Sequence, residues 1–257
     1  MSNTKEVSKR QERREQIRRK EQRGRLIGIG LITIGALFFA FLIIWPNVKP
    51  ITGITVVDSI PRPQADANNM GSPDAPVQIM EFSDFQCPYC ERFYEETEPL
   101  LIEEYISTGK VYFTYRSTGN WVSKNIGGNL TESEDAAKAA YCAGDQNKYW
   151  EMHDMIFANV LGEDVGSFTD RRLASIAEET PGLDLDLFNE CYSSGKYDDQ
   201  SDQDLADAIA AGVNGTPSFV LTYTNASGEV VTELIEGAQP FSVFKERIDA
   251  ALAASGQ

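Results

Sequence analysis

The sequence of 257 residues predicts a mixed α/β domain that follows one N-terminal transmembrane helix. Three observations carry this prediction. An uncharged apolar stretch separates a basic N-terminus from an acidic remainder. Strand-like and helix-like segments then follow in the order β-α-β, a helical block, and α-β-β-α. The content of hydrophobic residues is 42% and that of charged residues 24%, which is typical of a globular chain and excludes wholesale disorder.

Charge is distributed unevenly along the chain. Residues 1–25 contain ten Lys/Arg and four Glu, whereas the remaining 232 residues contain 13 basic and 35 acidic side chains. A chain that is acidic outside its first 25 residues is poorly suited to nucleic-acid binding. His153 is the single histidine, which excludes mechanisms that need two histidines and most histidine-rich metal sites. We therefore expect neither a metal nor a cofactor.

Leu26–Trp45 contains no charged residue and predicts a membrane anchor. Twenty helical residues rise about 30 Å, the thickness of a bilayer's hydrocarbon core. We expect Pro46 to end the helix. The stretch is longer than the apolar core of a cleaved signal peptide and lacks a small-residue cleavage site, which favours an uncleaved signal anchor. The positive-inside rule then keeps residues 1–25 in the cytoplasm and places the residues after 46 outside, where disulfides persist.

The domain that follows begins with a β-α-β pattern. Residues 46–75 contain five prolines and predict a linker, within which Gly53–Ile60 has the composition of a short edge strand. The domain itself is expected over residues 76–257. Its first three elements are a buried strand, a helix with a kink at Pro99, and a second strand, and they are expected at Val77–Phe82, Glu91–Ile106 and Val111–Tyr115.

The second half of the domain follows an inserted helical block. Helical patterns with breaks near glycines fill the insertion, at about residues 132–200. The elements after it are a helix, two strands joined by an Asn-Ala-Ser-Gly turn, and a terminal helix, and they are expected at Asp202–Ala211, Ser218–Thr224, Glu229–Glu236 and Phe241–Ala254.

Cys87-Pro88-Tyr89-Cys90 lies between the first strand and the first helix of the domain. A helix N-terminus favours an anion, so a thiolate at Cys87 is stabilised there, and Cys90 is expected to be the buried resolving thiol. Pro88 fixes φ at a position that needs no donor. Haem attachment would need a histidine at position 91, and a zinc site usually needs a second close cysteine pair. The context favours a redox pair over a zinc site or an inert disulfide.

Two further features agree with a redox site. Glu81 lies six residues before Cys87 on the preceding strand, where a buried carboxylate would relay protons to Cys90; the alternative is a solvent-facing strand residue. Thr216-Pro217 comes directly before a strand, where a cis proline would leave the Thr216 backbone free to pair with a substrate peptide. An ordinary trans turn proline is equally compatible with that position.

Several segments together resemble the DsbA-like branch of the thioredoxin superfamily. They are Phe85-Gln86-Cys87-Pro88-Tyr89-Cys90, Gly215-Thr216-Pro217, Tyr141–Phe157 (YCAGDQNKYWEMHDMIF) and the entry Gly71–Phe85 (GSPDAPVQIMEFSDF). The resemblance covers roughly residues 65–254. It implies a thioredoxin-like fold with an inserted helical subdomain and an exported, membrane-anchored thiol–disulfide oxidoreductase.

The resemblance also implies roles for particular residues and partners. Cys87 and Cys90 become the redox pair, and Pro217 becomes cis. The implied partners are reduced exported proteins and a quinone-linked membrane reoxidant of the DsbB or vitamin-K-epoxide-reductase type. One departure is Tyr89, which stands where the best-known member of the branch has histidine. With Cys87–Cys90 as the redox pair, Cys142 and Cys191 remain for a structural disulfide, as in some members; the alternative is two buried free thiols.

The first hypothesis for the function is therefore an enzyme that donates its Cys87–Cys90 disulfide to exported proteins. A reductase or isomerase would use the same residues with the opposite electron flow, which the sequence does not fix. A non-catalytic thioredoxin-like binding or chaperone domain is the third hypothesis, in which the cysteines only staple the chain. The pKa of Cys87 separates the third hypothesis from the other two, and the reduction potential of the pair separates the first from the second.

Overall fold

The computed structural model describes residues 2–119, 121–122 and 131–256, which divide into two compact units on either side of Pro50. The first unit is helix α1 (Ser2–Val48), which over Arg13–Trp45 is long and apolar enough to cross a membrane. The prediction that Pro46 ends this helix is wrong by two residues. Proline lacks its own amide, but the amide of Lys49 still reaches the Trp45 carbonyl oxygen at 3.0 Å, so the turn continues.

The second unit is built on a five-stranded mixed sheet in the order β1-β3-β2-β4-β5. Strands β2 and β3 are parallel, and the other three neighbouring pairs are antiparallel. The strands are β1 (Asn69–Met70), β2 (Val77–Ser83), β3 (Val111–Ser117), β4 (Ser218–Thr224) and β5 (Val230–Glu236). Four of the five strands coincide with predicted strands, and β1 is an addition at the sheet edge.

Helices surround this sheet and fill the insertion between its two halves. They are α2 (Pro88–Glu96), α3 (Glu98–Leu101) with a π-helical turn (Ile102–Ile106), α4 (Glu132–Gly144), α5 (Tyr149–Phe157), α6 (Asp170–Glu179), α7 (Leu185–Ser194), α8 (Gln200–Ala210) and α9 (Phe241–Ala254). The predicted kink in the first helix is observed as a break at Thr97 between α2 and α3. The inserted block is α4 to α7. The predicted thioredoxin-like fold with a helical insertion is confirmed.

Both faces of the sheet are covered by apolar side chains. The larger core joins the sheet to α2, α5 and α9, and its centre includes the rings of Phe93, Phe219 and Phe244, whose centroids lie 4.4–5.4 Å apart. A smaller cluster on the other side contains Phe82 and Ala208. Because side chains alternate along a strand, Glu81 and Ser83 face the larger core while Phe82 faces the smaller one.

The predicted linker differs from the structure. Residues from Ile51 belong to the compact unit, and residues 53–60 form no strand. The Thr55 amide donates to Asn159 Oδ1 at 2.8 Å, and the Arg62 side chain is 1% exposed. The prolines of this segment prevent regular structure, but they do not prevent side chains from packing against α3 and α5. Composition alone therefore extends the linker too far.

Candidate active site

Cys87 and Cys90 lie where β2 leads into α2. Cys87 is the N-cap residue of the helix, with φ −76° and ψ 119°, and Pro88 is its first helical residue. The first amides of the helix lack intrahelical partners, and they surround the Cys87 side chain. Both cysteines are free thiols in the structure, Cys87 at 6% exposure and Cys90 at 0%. The helix therefore presents one accessible sulfur at its positive end and encloses the other.

Hydrogen bonds to its sulfur lower the pKa of Cys87 from 9.0 to about 6. The bond from the Cys90 thiol contributes most. Burial opposes it, while the Thr216 side chain and the backbone amides of Tyr89 and Cys90 add to the lowering. These donors stabilise the thiolate in the same direction as the helix dipole. At pH 7 the Cys87 sulfur is therefore mostly ionised.

Cys90 has the opposite character. Burial raises its pKa well above 9.0, and the hydrogen bond with Cys87 and the charges of Cys87 and Glu81 raise it further. The Asp84 amide donates to the Cys90 sulfur at 3.5 Å. The pair therefore consists of a thiolate at Cys87 and a thiol at Cys90. This asymmetry suits the Cys87 sulfur to leave as an anion and the Cys90 sulfur to carry a proton.

The Thr216–Pro217 peptide bond is cis, and this loop lies against Cys87. In its thiol form the Cys87 sulfur donates to the Thr216 carbonyl oxygen at 3.4 Å, across 129 residues of sequence. β4 begins at the next residue, Ser218, and pairs with β2. The sheet therefore brings together the two segments that the sequence singled out separately.

Glu81 lies in β2 between Tyr115 of β3 and Phe219 of β4 and is 1% exposed. Burial raises its pKa well above 4.5, and the charge of Glu98 raises it further. The alternative interpretation of Glu81 as a solvent-facing strand residue is therefore wrong. The charge of Glu81 raises the pKa of Cys90, so the two groups interact within the same core.

Tyr89 occupies the surface beside the redox pair. Its side chain is 57% exposed, and the Arg92 guanidinium lies over its ring at 5.1 Å from the centroid. Its backbone amide, rather than its ring, contributes to the Cys87 thiolate. The ring is therefore placed to contact an incoming partner.

The sequence analysis missed two polar residues between Glu81 and Cys87. Asp84 is buried and accepts hydrogen bonds from the Gln86 amide, the Val122 amide and the Ser133 hydroxyl at 2.6–2.9 Å. Burial raises the pKa of Asp84 to about 7, although these bonds oppose the change. Ser83 is fully buried at the end of the same strand, β2. A run of polar residues at the end of an otherwise apolar strand was the sequence signal that could have identified these two residues.

Cys142 of α4 and Cys191 of α7 form a disulfide in the structure, with sulfurs 2.03 Å and Cα atoms 5.7 Å apart. The bond joins two helices of the insertion across 49 residues of sequence. Among the residues that the structure describes, no group of three or more His, Cys, Asp or Glu side chains is arranged as metal ligands would be.

Comparisons with known proteins agree with this geometry. A family model described as thioredoxin matches residues 65–238. A probable disulfide bond formation protein D from Bacillus cereus is 30% identical over 151 residues, which cover 58% of this chain and 67% of that protein. The crystal structure of alpha-DsbA1 from Wolbachia pipientis superimposes with a TM-score of 0.61 and 22% identity, over 76% of this chain and 94% of that one.

A third relative is much longer than this chain. The Na(+)/H(+) antiporter NhaA 1 of Salinispora arenicola is 27% identical over 227 residues, which are 82% of this chain, and the chain covers 32% of that protein's length. The predicted family is confirmed by the match of the family model to most of the domain. The chain belongs to the thioredoxin family, and it is related to a protein named for disulfide bond formation.

Proposed function

We propose that this protein is a membrane-anchored oxidoreductase that oxidises cysteine pairs in exported proteins. The observation that carries the proposal is the asymmetry of the Cys-Pro-Tyr-Cys pair, with the pKa of Cys87 lowered to about 6 and that of Cys90 raised. A stable Cys87 thiolate favours the reduced form of the enzyme and so makes its disulfide oxidising. The relative from Bacillus cereus, whose name refers to disulfide bond formation, supports the same direction.

The oxidation proceeds by two exchanges. A substrate thiolate attacks the Cys87 sulfur of the Cys87–Cys90 disulfide, a mixed disulfide with Cys87 forms, and Cys90 leaves as a thiolate. Cys90 then takes a proton from the Glu81 carboxyl, which recovers one from solvent. A second substrate thiolate attacks the substrate sulfur of the mixed disulfide, and Cys87 leaves as a stabilised thiolate. Two electrons pass from the substrate to the enzyme.

Thr216 and Pro217 supply the surface on which the substrate lies. Their loop contacts Cys87, so an extended peptide that pairs with the Thr216 backbone would bring its own cysteine to the sulfur. The exposed Tyr89 ring lies on the same side of the helix start and adds apolar contact. This arrangement favours unfolded substrates, whose backbones are still free.

Helix α1 anchors the enzyme with residues 1–25 in the cytoplasm and the domain outside. The apolar length of Arg13–Trp45 and the basic charge before it support this orientation. Each cycle leaves the enzyme with two extra electrons, which a quinone-linked membrane protein of the DsbB or vitamin-K-epoxide-reductase type removes. Anchoring keeps the redox pair close to such a partner.

A trapping experiment tests the proposal. Cys90→Ser leaves the Cys87 thiolate without its resolving partner, so mixed disulfides with exported proteins accumulate. Cys87→Ser accumulates none, and Cys191→Ser is the matched control outside the redox pair. Equal trapping by the Cys87 and Cys90 variants would contradict the proposal, and a reduction potential below that of glutathione would favour a reductase.

A further inference from the structure

Asp84 lies between the end of β2 and the start of α2, and the mechanism above does not use it. It is 0% exposed. Its backbone contacts both cysteines, because its carbonyl oxygen accepts from the Cys87 amide at 3.0 Å and its amide donates to the Cys90 sulfur at 3.5 Å. A movement of this one residue would therefore change the hydrogen bonds of both members of the redox pair.

The side chain of Asp84 fixes that backbone in place. Oδ1 accepts from the Gln86 amide at 2.9 Å, which closes a turn directly before Cys87. The same oxygen accepts from the Ser133 hydroxyl at 2.6 Å, and Oδ2 accepts from the Val122 amide at 2.9 Å. One buried carboxylate thus joins the redox turn to two segments that lie 38 and 49 residues further along the chain.

The helix that donates to this carboxylate is itself anchored. Ser133 lies in the first turn of α4, the first helix of the insertion. Its neighbour Glu132 is 6% exposed and accepts from the amides of Gly166 and Phe168, both at 2.8 Å. These bonds attach the start of α4 to the loop before α6. The insertion therefore holds Ser133 in position as a donor to Asp84.

We propose that Asp84 is a positioning residue of the redox pair, whose carboxylate holds the turn before Cys87 in the geometry that stabilises the Cys87 thiolate. The donors to that thiolate include the Cys90 thiol and the first amides of α2, whose directions are fixed by the backbone. Hydrogen bonds weaken steeply as their angles become less linear, so a relaxed turn would stabilise the anion less. The inference deepens the proposed function and rests on it for the direction of electron flow only.

The charge of Asp84 would act in the opposite direction. A carboxylate close to a thiolate repels it, so the loss of charge alone would lower the pKa of Cys87. Burial raises the pKa of Asp84 itself to about 7, so much of its charge is already absent at the pH where Cys87 ionises. The sign of the change in the pKa of Cys87 therefore separates positioning from an effect of charge.

The test is the rate at which iodoacetamide alkylates Cys87 as a function of pH, in the reduced full-length protein, with the labelled peptide identified by mass spectrometry. Asp84→Ala removes all three side-chain bonds, and the midpoint should rise by roughly half to one pH unit. Asp84→Asn keeps Oδ1 for Gln86 and Ser133, and its midpoint should lie below that of Asp84→Ala. Asp184→Ala is the matched control and should leave the midpoint unchanged, because Asp184 likewise accepts from two backbone amides but caps α7.

The inference is overturned if the midpoint in Asp84→Ala equals that of the wild type or falls below it, or if Asp184→Ala raises it equally. Should Asp84→Ala fail to fold, Ser133→Ala replaces it, since this change removes a donor to Asp84 and keeps the carboxylate. The midpoint should then rise by a few tenths of a pH unit, and an unchanged or lower midpoint overturns the inference. Alkylation needs no protein substrate, so failure of the proposed function would leave this result intact and would appear only in the trapping experiment.

Discussion

The two cysteine pairs of this protein differ in their position in the fold and in the groups that surround their sulfurs. Cys87 and Cys90 lie three positions apart at the start of one helix, where backbone amides and a cis-proline loop contact the first sulfur. Cys142 and Cys191 are joined across 49 residues and belong to two different helices of the insertion. One pair lies at a helix N-terminus beside the cis-proline loop, and the other connects two helices.

The difference shows that position in the fold, rather than the thiol itself, decides between reactivity and stability. A helix N-terminus lowers the pKa of a thiol and so makes its sulfur a good leaving group. A disulfide that closes a long loop instead lowers the conformational entropy of the unfolded state, and this stabilises the folded state. We therefore expect variants of the first pair to change chemistry and variants of the second to change stability.

The largest effect is expected from Cys87→Ser. This variant should oxidise a reduced test protein no faster than the uncatalysed reaction, because no other described sulfur lies at the cis-proline loop. The assay is recovery of activity by a reduced, unfolded enzyme that needs its disulfides. The double variant Cys142→Ala/Cys191→Ala should retain oxidation at low temperature. Loss of oxidation by that folded double variant would mean that the second pair takes part in the chemistry.

The second effect concerns stability. Closing a loop of about 50 residues contributes about 4 kcal/mol by the chain-entropy estimate, so Cys142→Ala/Cys191→Ala should lower the free energy of unfolding by that order. Urea unfolding of the soluble domain measures it, with Cys87→Ser/Cys90→Ser as the matched control. A double variant as stable as the wild type would show that the insertion holds together without its disulfide.

The third effect is a pH dependence of the reduced protein. In the folded state the pKa of Cys87 is about 6, which is below the value of 9.0 for an unperturbed cysteine, as in the unfolded chain. Ionisation of Cys87 therefore favours the folded state. This stabilisation is complete above pH 9 and disappears as the pH falls to 6, and it is roughly 1–2 kcal/mol at pH 7. Urea unfolding of reduced wild type against reduced Cys87→Ser measures it. A stability difference that does not grow between pH 6 and 9 would contradict the assignment.

The smallest effect is expected from Tyr89→His. The side chain is 57% exposed, so solvent screens an imidazolium placed there, and the pKa of Cys87 should fall by less than one pH unit. Alkylation rates measured against pH report the shift, and Tyr89→Phe should leave them unchanged. A rise in the pKa of Cys87 would show that the ring at position 89 acts by contact rather than by charge.

Local patterns were sufficient to predict most of the sheet and the position of Cys87 at the start of a helix. The strand over Val111–Ser117 alternates buried and partly buried residues, and α9 begins and ends at the residues expected for it, Phe241 and Ala254. Cys87 could be assigned because a strand, a CxxC motif and a helix are adjacent in sequence. Each of these features is determined by residues that are adjacent in sequence, so it can be predicted from the sequence alone.

The buried ion cluster of Arg62, Glu98 and Asp154 could not be predicted, because it depends on contacts between residues that are far apart in sequence. Arg62 lies among prolines in a segment whose composition is typical of a linker, and its partners Glu98 and Asp154 follow 36 and 92 residues later. Each of the three alone is typical of a solvated surface residue. Only the packing of this segment against α3 and α5 removes the three side chains from water.

The central claim is that the Cys87 sulfur is a thiolate at neutral pH. Ultraviolet absorbance of the thiolate, followed across pH in the reduced protein and compared with reduced Cys87→Ser, measures this directly. We predict a transition with a midpoint near pH 6 that is absent from the variant. A transition at about pH 9, the value for an unperturbed cysteine, would contradict the account.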